Sequence, residues 1–161
     1  METIRYGTFE TNSSSTHSIT MCMEDEFEKW KKGDLYYLIS EERFLNKEEK
    51  DIYLKRMFLK DKMEVDYNNK TISFYGIVAS YENYTDREHK MEELITSKDI
   101  ETIDQEEFKN FIDNFDDYTE KPLAYREYLN NVGENYDTYT NVFTTPSGEK
   151  VVSFGYYGND W

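Results

Sequence analysis

Apolar residues recur along this chain with two different periods, which predict strands toward both ends and helices between them. Loose alternation predicts short strands at residues 3–9 and 19–23, and the run at residues 35–39 is typical of a third. Helical spacing and capping residues predict five helices. They cover residues 25–32, a stretch from residue 40 or 46 to about 60, residues 85–96, a stretch from residue 104, and one after Pro122.

Turn residues between strand-like runs predict two hairpins. Asn68 and Asn69 tolerate the left-handed conformation of tight turns, and they separate residues 63–67 from residues 71–75. A turn around Gly148 is predicted between residues 138–144 and 150–156. Thr85 with Glu88 matches a capping box, which predicts that the third helix begins at Thr85.

This order of elements is typical of the α+β class. We expect a short antiparallel sheet formed by N- and C-terminal strands, with four to five helices between them. Pairing of the terminal strands would bring residue 5 near residue 154. No repeat, low-complexity tract or Pro/Gly-rich linker divides the 161 residues, so we expect a single domain over residues 1–161.

The composition indicates a folded chain and narrows its cellular setting. Aromatic residues make up 17% of the chain although hydrophobic residues make up only 37%, whereas disordered acidic chains are poor in aromatic residues. The single cysteine, Cys22, excludes an internal disulfide framework, and its apolar neighbours predict a buried side chain. No segment approaches the ~20 apolar residues of a membrane span. We therefore expect a cytoplasmic protein that does not associate with membranes.

The charge balance restricts the classes of partner. Lys and Arg number 19 against 34 Asp and Glu, which gives a formal net charge of −15. Because so negative a charge repels nucleic-acid backbones at long range, we expect no direct DNA binding. The charge suits a basic partner, including a protein that itself binds nucleic acid. Many acidic proteins are simply well solvated, and this interpretation stays open.

Residues 10–18, called the polar segment below, form with Arg5 the strongest candidate for a functional site. Hydroxyl and amide side chains there can donate hydrogen bonds to a phosphate, and Arg5 adds positive charge. The phosphate-binding candidates are Thr11, Asn12, Ser13, Ser14, Ser15 and Thr16. His17 can act as a general acid or base near neutral pH, and Glu10 can orient its imidazole or accept a proton. Such a site needs neither a metal nor a cofactor, and we expect none.

Other interpretations of these residues stay open. Ser, Thr and Asn also satisfy backbone groups in an ordinary turn, and a histidine beside such a turn commonly has a structural role. Acidic groups at residues 24–28 and at Asp113, Asp116 and Asp117 can bind a metal or mimic DNA phosphates. Solvated helix faces with the same composition are more common. His89 lies inside the third predicted helix, where an exposed position is expected.

The run Phe9-Glu10-Thr11-Asn12-Ser13-Ser14-Ser15-Thr16-His17-Ser18 resembles a segment near the N-terminus of small proteins of phages and other mobile elements. Small size, acidity and a high content of Tyr, Asn and Lys also resemble anti-CRISPR and other anti-defence proteins. This resemblance implies that the target is a host-defence nuclease, its guide RNA or its nucleic-acid groove. It assigns no catalytic residue.

Two functions follow as hypotheses. In the first, the protein is an anti-defence inhibitor whose acidic surface binds a basic nucleic-acid-binding protein, such as a CRISPR nuclease, or acts on its guide RNA. In the second, the polar segment is the site of a metal-independent ribonuclease or phosphate-handling enzyme. An RNA-binding enzyme would need a local basic patch. The largest basic cluster comprises Lys47, Lys50, Lys55, Arg56, Lys60 and Lys62.

Overall fold

The structure, a computed structural model, describes the backbone of residues 3–10 and 15–159 and the side chains of residues 18–158. Within these ranges the chain forms five helices and nine strands. The helices are α1 (Glu24–Lys32), α2 (Lys47–Asp61), α3 (Tyr84–Ser97), α4 (Gln105–Asp113) and α5 (Tyr125–Gly133). The strands are β1 (Thr3–Glu10), β2 (Ser15–Met23), β3 (Tyr36–Leu38), β4 (Arg43–Leu45), β5 (Glu64–Asp66), β6 (Thr71–Phe74), β7 (Ile77–Ser80), β8 (Asp137–Thr144) and β9 (Lys150–Asn159).

The strands form three antiparallel sheets, of which the largest joins the two ends of the chain. Its order is β1-β2-β9-β8, while β3 pairs with β4 and β5-β6-β7 form a meander. The predicted α+β class and the sheet of N- and C-terminal strands are confirmed. Thr20 of β2 pairs with Arg5 on one side and with Phe154 on the other. Residues 5 and 154 therefore lie two strand spacings apart, about 10 Å.

The second strand is longer than the sequence predicts. β2 begins at Ser15, four residues before the predicted start at residue 19, because every residue from Ser15 to Met23 pairs with β9. Thr16, His17 and Ser18 also pair with β1. Backbone pairing on both sides overrides the lack of apolar side chains in this part of the strand. The prediction that the strand begins at residue 19 is wrong.

Helix starts follow the capping chemistry, with one correction. Asn46 and Glu49 cap α2 reciprocally: the Glu49 amide donates to Asn46 Oδ1 at 2.8 Å, and the Asn46 amide donates to Glu49 Oε1 at 2.9 Å. At α3 the capping residue is Asn83, whose Oδ1 accepts from the Asp86 amide at 2.9 Å. Thr85 lies inside the helix. The prediction of Thr85 as the cap is wrong because asparagine is at least as good a cap and lies two residues earlier.

Close contacts group the residues into two compact units, and the division falls within α2. The first unit comprises Met1–Lys50 and Asp117–Trp161, and the second comprises Asp51–Asp116. The prediction of a single domain stays a prediction, because two compact units can unfold together or separately.

The core of the first unit surrounds Trp30, which is fully buried. Six aromatic rings lie with their centroids 4.8–5.8 Å from the Trp30 ring: Phe27, Tyr37, Phe44, Tyr125, Tyr128 and Phe154. The indole Nε1 donates a hydrogen bond to the Leu123 carbonyl at 3.0 Å. Cys22 is buried in the same core, as predicted. Burial, with a smaller effect of Glu26 and Asp25, raises the pKa of the Cys22 thiol to about 12.

The core of the second unit is smaller and surrounds Phe58. It contains Phe58, Leu59, Phe74, Ile95 and Ile103. The rings of Phe108 and Phe111 on α4 pack against Phe58 at 5.7 and 5.6 Å. The predicted helical spacing of α4 thus places its apolar residues on one face, toward this core.

Candidate functional site

The polar segment lies at the end of the β1–β2 hairpin. Glu10, the last residue of β1, pairs with Thr16, and the preceding residue Phe9 pairs with His17. Arg5 pairs with Thr20, on the far side of an irregularity in the register between Arg5 and Thr8. The backbone thus brings Glu10 and His17 to adjacent pairs of one hairpin and leaves Arg5 several pairs away.

The remaining candidate residues divide between β2 and a part of the chain that the structure does not describe. Ser15 pairs with Asn159 and Thr16 pairs with Gly158 of β9. Thr11, Asn12, Ser13 and Ser14 lie outside the described residues, as do the side chains of Arg5, Glu10 and His17. The proposed roles of these residues in catalysis and phosphate binding stay predictions.

A groove lies on the sheet beside this hairpin. Its volume is about 500 Å³, enough for a small molecule, and six residues of the three strands β2, β9 and β8 line it: Ile19, Met21, Tyr139, Asn141, Ser153 and Tyr157. The groove follows from side-chain size along the central strand. Ile19 and Tyr139 both pair with Gly155, and Met21 and Asn141 both pair with Ser153. Two small residues on β9 therefore lie between larger residues on both neighbouring strands.

Tyr139 is fixed across this groove. Its hydroxyl donates a hydrogen bond to the Ser18 carbonyl at 2.7 Å and so connects β8 to β2 over the intervening strand β9. A Cβ atom at Gly155 would lie 2.0 Å from the Ser18 oxygen and 3.0 Å from the Tyr139 hydroxyl. Only glycine fits at residue 155, and the Tyr139 side chain covers the backbone that glycine exposes. Burial raises the pKa of the Tyr139 hydroxyl, which favours its protonated, donating form.

One end of the groove adjoins the polar segment. Tyr157 lines the groove and pairs with His17 in the register of β2 and β9. Its ring is about half exposed and lies 6.2 Å from the Tyr139 ring. The two rings, with Ile19 and Met21, offer an apolar surface, and Asn141 and Ser153 add hydrogen-bonding groups. This arrangement can hold a flat or extended organic group beside the hairpin.

The groove was not predicted from the sequence, although β9 carries a signal for it. Val152 and Phe154 of β9 are buried in the core of the first unit, and Ser153 and Gly155 alternate with them. Small residues at every second position of a buried strand indicate a face that large side chains leave open.

A second candidate surface is the acidic helix surface, defined as residues 99–116 of the second unit. This stretch carries seven carboxylates and one lysine, a net charge of −6. All seven are exposed: Asp99, Glu101, Asp104, Glu106, Glu107, Asp113 and Asp116. Asp104 caps α4 by accepting from the amides of Glu106 and Glu107 at 3.0 and 3.1 Å. The cap and the packing of the opposite face on Phe58 hold three of these carboxylates, Glu106, Glu107 and Asp113, on the ordered helix α4, and the other four lie just before or after it.

The basic cluster along α2 is largely paired with acidic or aromatic groups. Lys55 Nζ lies 2.9 Å from Asp51, Lys62 Nζ lies 3.1 Å from Glu107, and Arg56 forms an ion pair with Glu92. Lys50 Nζ lies 4.0 Å from the centroid of the Tyr36 ring. These contacts reduce the positive charge that this cluster can offer to RNA. His89 is exposed, as expected, and lies 3.0 Å from Glu93.

Comparisons with protein-family models, with curated proteins and with solved structures found no match. Among residues 3–10 and 15–159, no helix is long and apolar enough to cross a membrane. In the same part of the chain, no group of three or more His, Cys, Asp or Glu residues is arranged to hold a metal ion.

Proposed function

We propose that this protein is an anti-defence inhibitor of a phage or other mobile element, which binds a basic, nucleic-acid-binding host nuclease. The observation that supports this function best is the acidic helix surface. Its seven carboxylates are exposed on and around α4, and of these Glu107 pairs with Lys62, whereas most cations of the α2 cluster are already paired. A nuclease groove that binds phosphates presents rows of Lys and Arg, and exposed carboxylates compete with nucleic acid for such a groove.

The mechanism is electrostatic occupation of the groove. Long-range attraction between the −15 chain and a basic groove accelerates encounter. Carboxylates of the acidic helix surface then occupy positions that phosphates would take. Because α4 is capped and packed on Phe58, little backbone entropy is lost when its carboxylates meet the partner. Binding should weaken as salt screens both surfaces.

The test is a binding titration against guide-loaded CRISPR nucleases, measured at about 0.05 M and about 0.3 M salt. The variant Glu106→Gln/Asp113→Asn/Asp116→Asn neutralises three exposed carboxylates and keeps the Asp104 cap. At about 0.5–1 kcal/mol for each lost charge contact, we expect binding to weaken by about tenfold or more.

The matched control removes the same amount of charge from the first unit. Asp34→Asn/Glu134→Gln/Glu149→Gln changes three exposed carboxylates and leaves the acidic helix surface intact. We expect this variant to bind almost as tightly as the wild type. Equal losses in both variants would mean that net charge alone matters, and salt-insensitive binding or no binding would contradict the proposal.

A second candidate function is a metal-independent ribonuclease or phosphate-handling enzyme at the polar segment. The observation that favours it is the groove whose end residue, Tyr157, pairs with His17. Aromatic and amide side chains beside a segment rich in hydroxyl groups suit a ligand with a base at one end and a phosphate at the other. In this function His17 is the general acid or base, with Glu10 and Arg5 as its partners.

A denaturing gel distinguishes the two functions. Guide RNA, alone and loaded on its nuclease, is incubated with the wild type, with His17→Ala and with Tyr157→Ala. The enzyme hypothesis predicts discrete shortened RNA with the wild type only. Intact RNA in every lane supports stoichiometric inhibition, and full cleavage by His17→Ala would remove this residue from the mechanism.

A further inference from the structure

β8 is an outer strand with an open edge. Within the described residues it pairs only with β9, over all eight of its residues. Seven of these residues are exposed, and the exposed side chains include two large apolar ones. Val142 is 56% and Phe143 is 42% exposed. Because neighbouring residues of a strand face opposite sides, this strand exposes apolar surface on both faces of the sheet.

The β8 edge lacks the features that normally prevent edge-to-edge pairing. Short length, charged residues and proline are common protections of an edge strand. Opposite β8, the edge strand β1 contains Arg5 and Glu10, and the edge strand β5 has only three residues, two of them acidic. β8 has one charge, at its first residue Asp137, and residues 138–148 contain none, in a chain that is 33% charged. β7 is also uncharged but has only four residues.

The edge is also rigid enough to serve as a template. Continuous pairing from Asp137 to Thr144 fixes one side of β8 to β9. The Tyr139 hydroxyl ties the strand to the Ser18 carbonyl of β2. A strand held in this way loses little entropy when its outer amides and carbonyls meet another strand.

We propose that β8 pairs with β8 of a second copy of this chain, antiparallel and around a two-fold axis, so that two four-stranded sheets form one eight-stranded sheet. Antiparallel pairing of identical strands is self-complementary. Where one residue of the first copy contacts a second residue of the other copy, the reverse contact is also formed. Charge favours this occupant over a charged peptide. The uncharged run lets two chains of charge −15 meet without placing like charges opposite each other in the strand pair.

The proposed dimer has a distinctive dependence on salt. Outside the β8 edge the two copies repel each other, and added salt screens this repulsion. Dimerisation should therefore strengthen with salt, whereas binding to a basic nuclease should weaken. Salt thus changes dimerisation and nuclease binding in opposite directions. The two proposals can therefore be tested separately, and failure of one does not affect the other.

The test is analytical ultracentrifugation of the full chain at about 0.05 M and about 0.5 M salt. We expect a species of twice the 19.4 kDa chain mass, favoured at the higher salt. The variant Thr140→Lys places a charge at the middle of the edge, where the two copies would oppose it. It also makes the net charge less negative, so general repulsion cannot explain a loss of the dimer. We expect the dimer to weaken by at least about tenfold.

The matched control is Val78→Lys, which makes the same charge change at a 66% exposed residue of another uncharged edge strand, β7. We expect it to dimerise like the wild type. If circular dichroism shows that Thr140→Lys is misfolded, Asn141→Lys, at the next exposed position, replaces it. A monomeric wild type at both salt concentrations, an unchanged dimer in the β8 variant, or loss of the dimer only in Val78→Lys would overturn the proposal.

Discussion

The aromatic cores of the two compact units are assembled from different kinds of contact. The core around Trp30 joins residues that are far apart in the chain, as the hydrogen bond from Trp30 to the Leu123 carbonyl shows. The core around Phe58 is formed within Asp51–Asp116, a continuous stretch. Trp30 is surrounded by six rings, whereas Phe58 contacts the rings of Phe108 and Phe111.

The two candidate functional sites depend on these two kinds of contact. Distant contacts fix the four-stranded sheet, and the groove and the polar segment both depend on its register. Contacts within the continuous stretch Asp51–Asp116 fix α4, and the acidic helix surface depends on them. Substitutions in the core around Trp30 should therefore affect the groove and the polar segment. Substitutions in the core around Phe58 should affect the acidic helix surface.

The largest effect is expected from Trp30→Ala. Removal of a fully buried indole leaves a cavity among six rings and should lower the free energy of unfolding by about 4 kcal/mol. Urea unfolding followed by far-UV circular dichroism measures the loss. Trp30→Phe, which keeps a ring but loses the N–H donor to Leu123, should cost about 1–2 kcal/mol. If Trp30→Ala lowers the free energy of unfolding by less than the amount expected for Trp30→Phe, this core does not dominate stability.

Phe58→Ala should cost less, about 3 kcal/mol, because fewer rings surround the site. The variant also tests whether the two units unfold together. The raised pKa of about 12 keeps the native Cys22 thiol protonated at pH 8, so a disulfide reagent reacts with it only after opening. If the chain is a single cooperative domain, the lower stability of Phe58→Ala makes opening more frequent. Cys22 should then be labelled about 100-fold faster than in the wild type. An unchanged labelling rate would instead mean that the first unit opens independently.

Gly155→Ala should destabilise the first unit by about 2 kcal/mol, since the new Cβ would clash with backbone. The contact is with the Ser18 carbonyl oxygen, at 2.0 Å. Thermal unfolding measures the effect. Gly158→Ala on the same strand is the control, because its Cβ would lie 3.3 Å from a ring atom of Tyr136 that can move. Equal stability of the two variants would contradict the close approach at residue 155.

The smallest effect is expected at the start of α3. Asn83→Ala removes the side chain that accepts from the Asp86 amide and should cost about 1 kcal/mol. Thr85→Ala, the control, should change stability by less than about 0.5 kcal/mol. If Thr85→Ala lowered the free energy of unfolding more than Asn83→Ala in urea titrations, Thr85 would be the cap.

Local chemistry in the sequence was sufficient for much of this fold. Apolar spacing predicted α4 and α5, and residues 138–156 predicted the pairing of β8 with β9. The first hairpin was predicted correctly but for a wrong reason. Lys70 adopts the left-handed conformation, and Asn68 and Asn69 instead donate hydrogen bonds to the Asp66 carboxylate. Three features could not be read from the local pattern of the sequence. Ser15–Ser18 are polar, and β2 extends over them because β9 pairs with all four and β1 pairs with three of them. β4 and β7 have three and four residues, too few for alternation to be recognised.

The candidate sites follow the same division. The acidic helix surface could be anticipated from Asp113 and Asp116, because solvated carboxylates need no distant partner. For the groove, the small residues Ser153 and Gly155 indicate an open face, but its walls are known only once β2 and β8 lie on either side. The polar segment was identified by its composition, and the structure adds its backbone pairing with Phe9 and with Tyr157.

The central position of β9 has a consequence for synthesis on the ribosome. β9 pairs with β2 through nine residues, yet Phe154 is made 134 residues after Thr20. At 5–20 residues per second the nascent chain waits roughly 7–27 s for this strand. Once residue 116 has been made, Asp51–Asp116 can form all the contacts of its own core, whereas Trp30 still lacks Phe154. Nascent chains shorter than about 150 residues should therefore expose the apolar surface of α1 to chaperones and proteases.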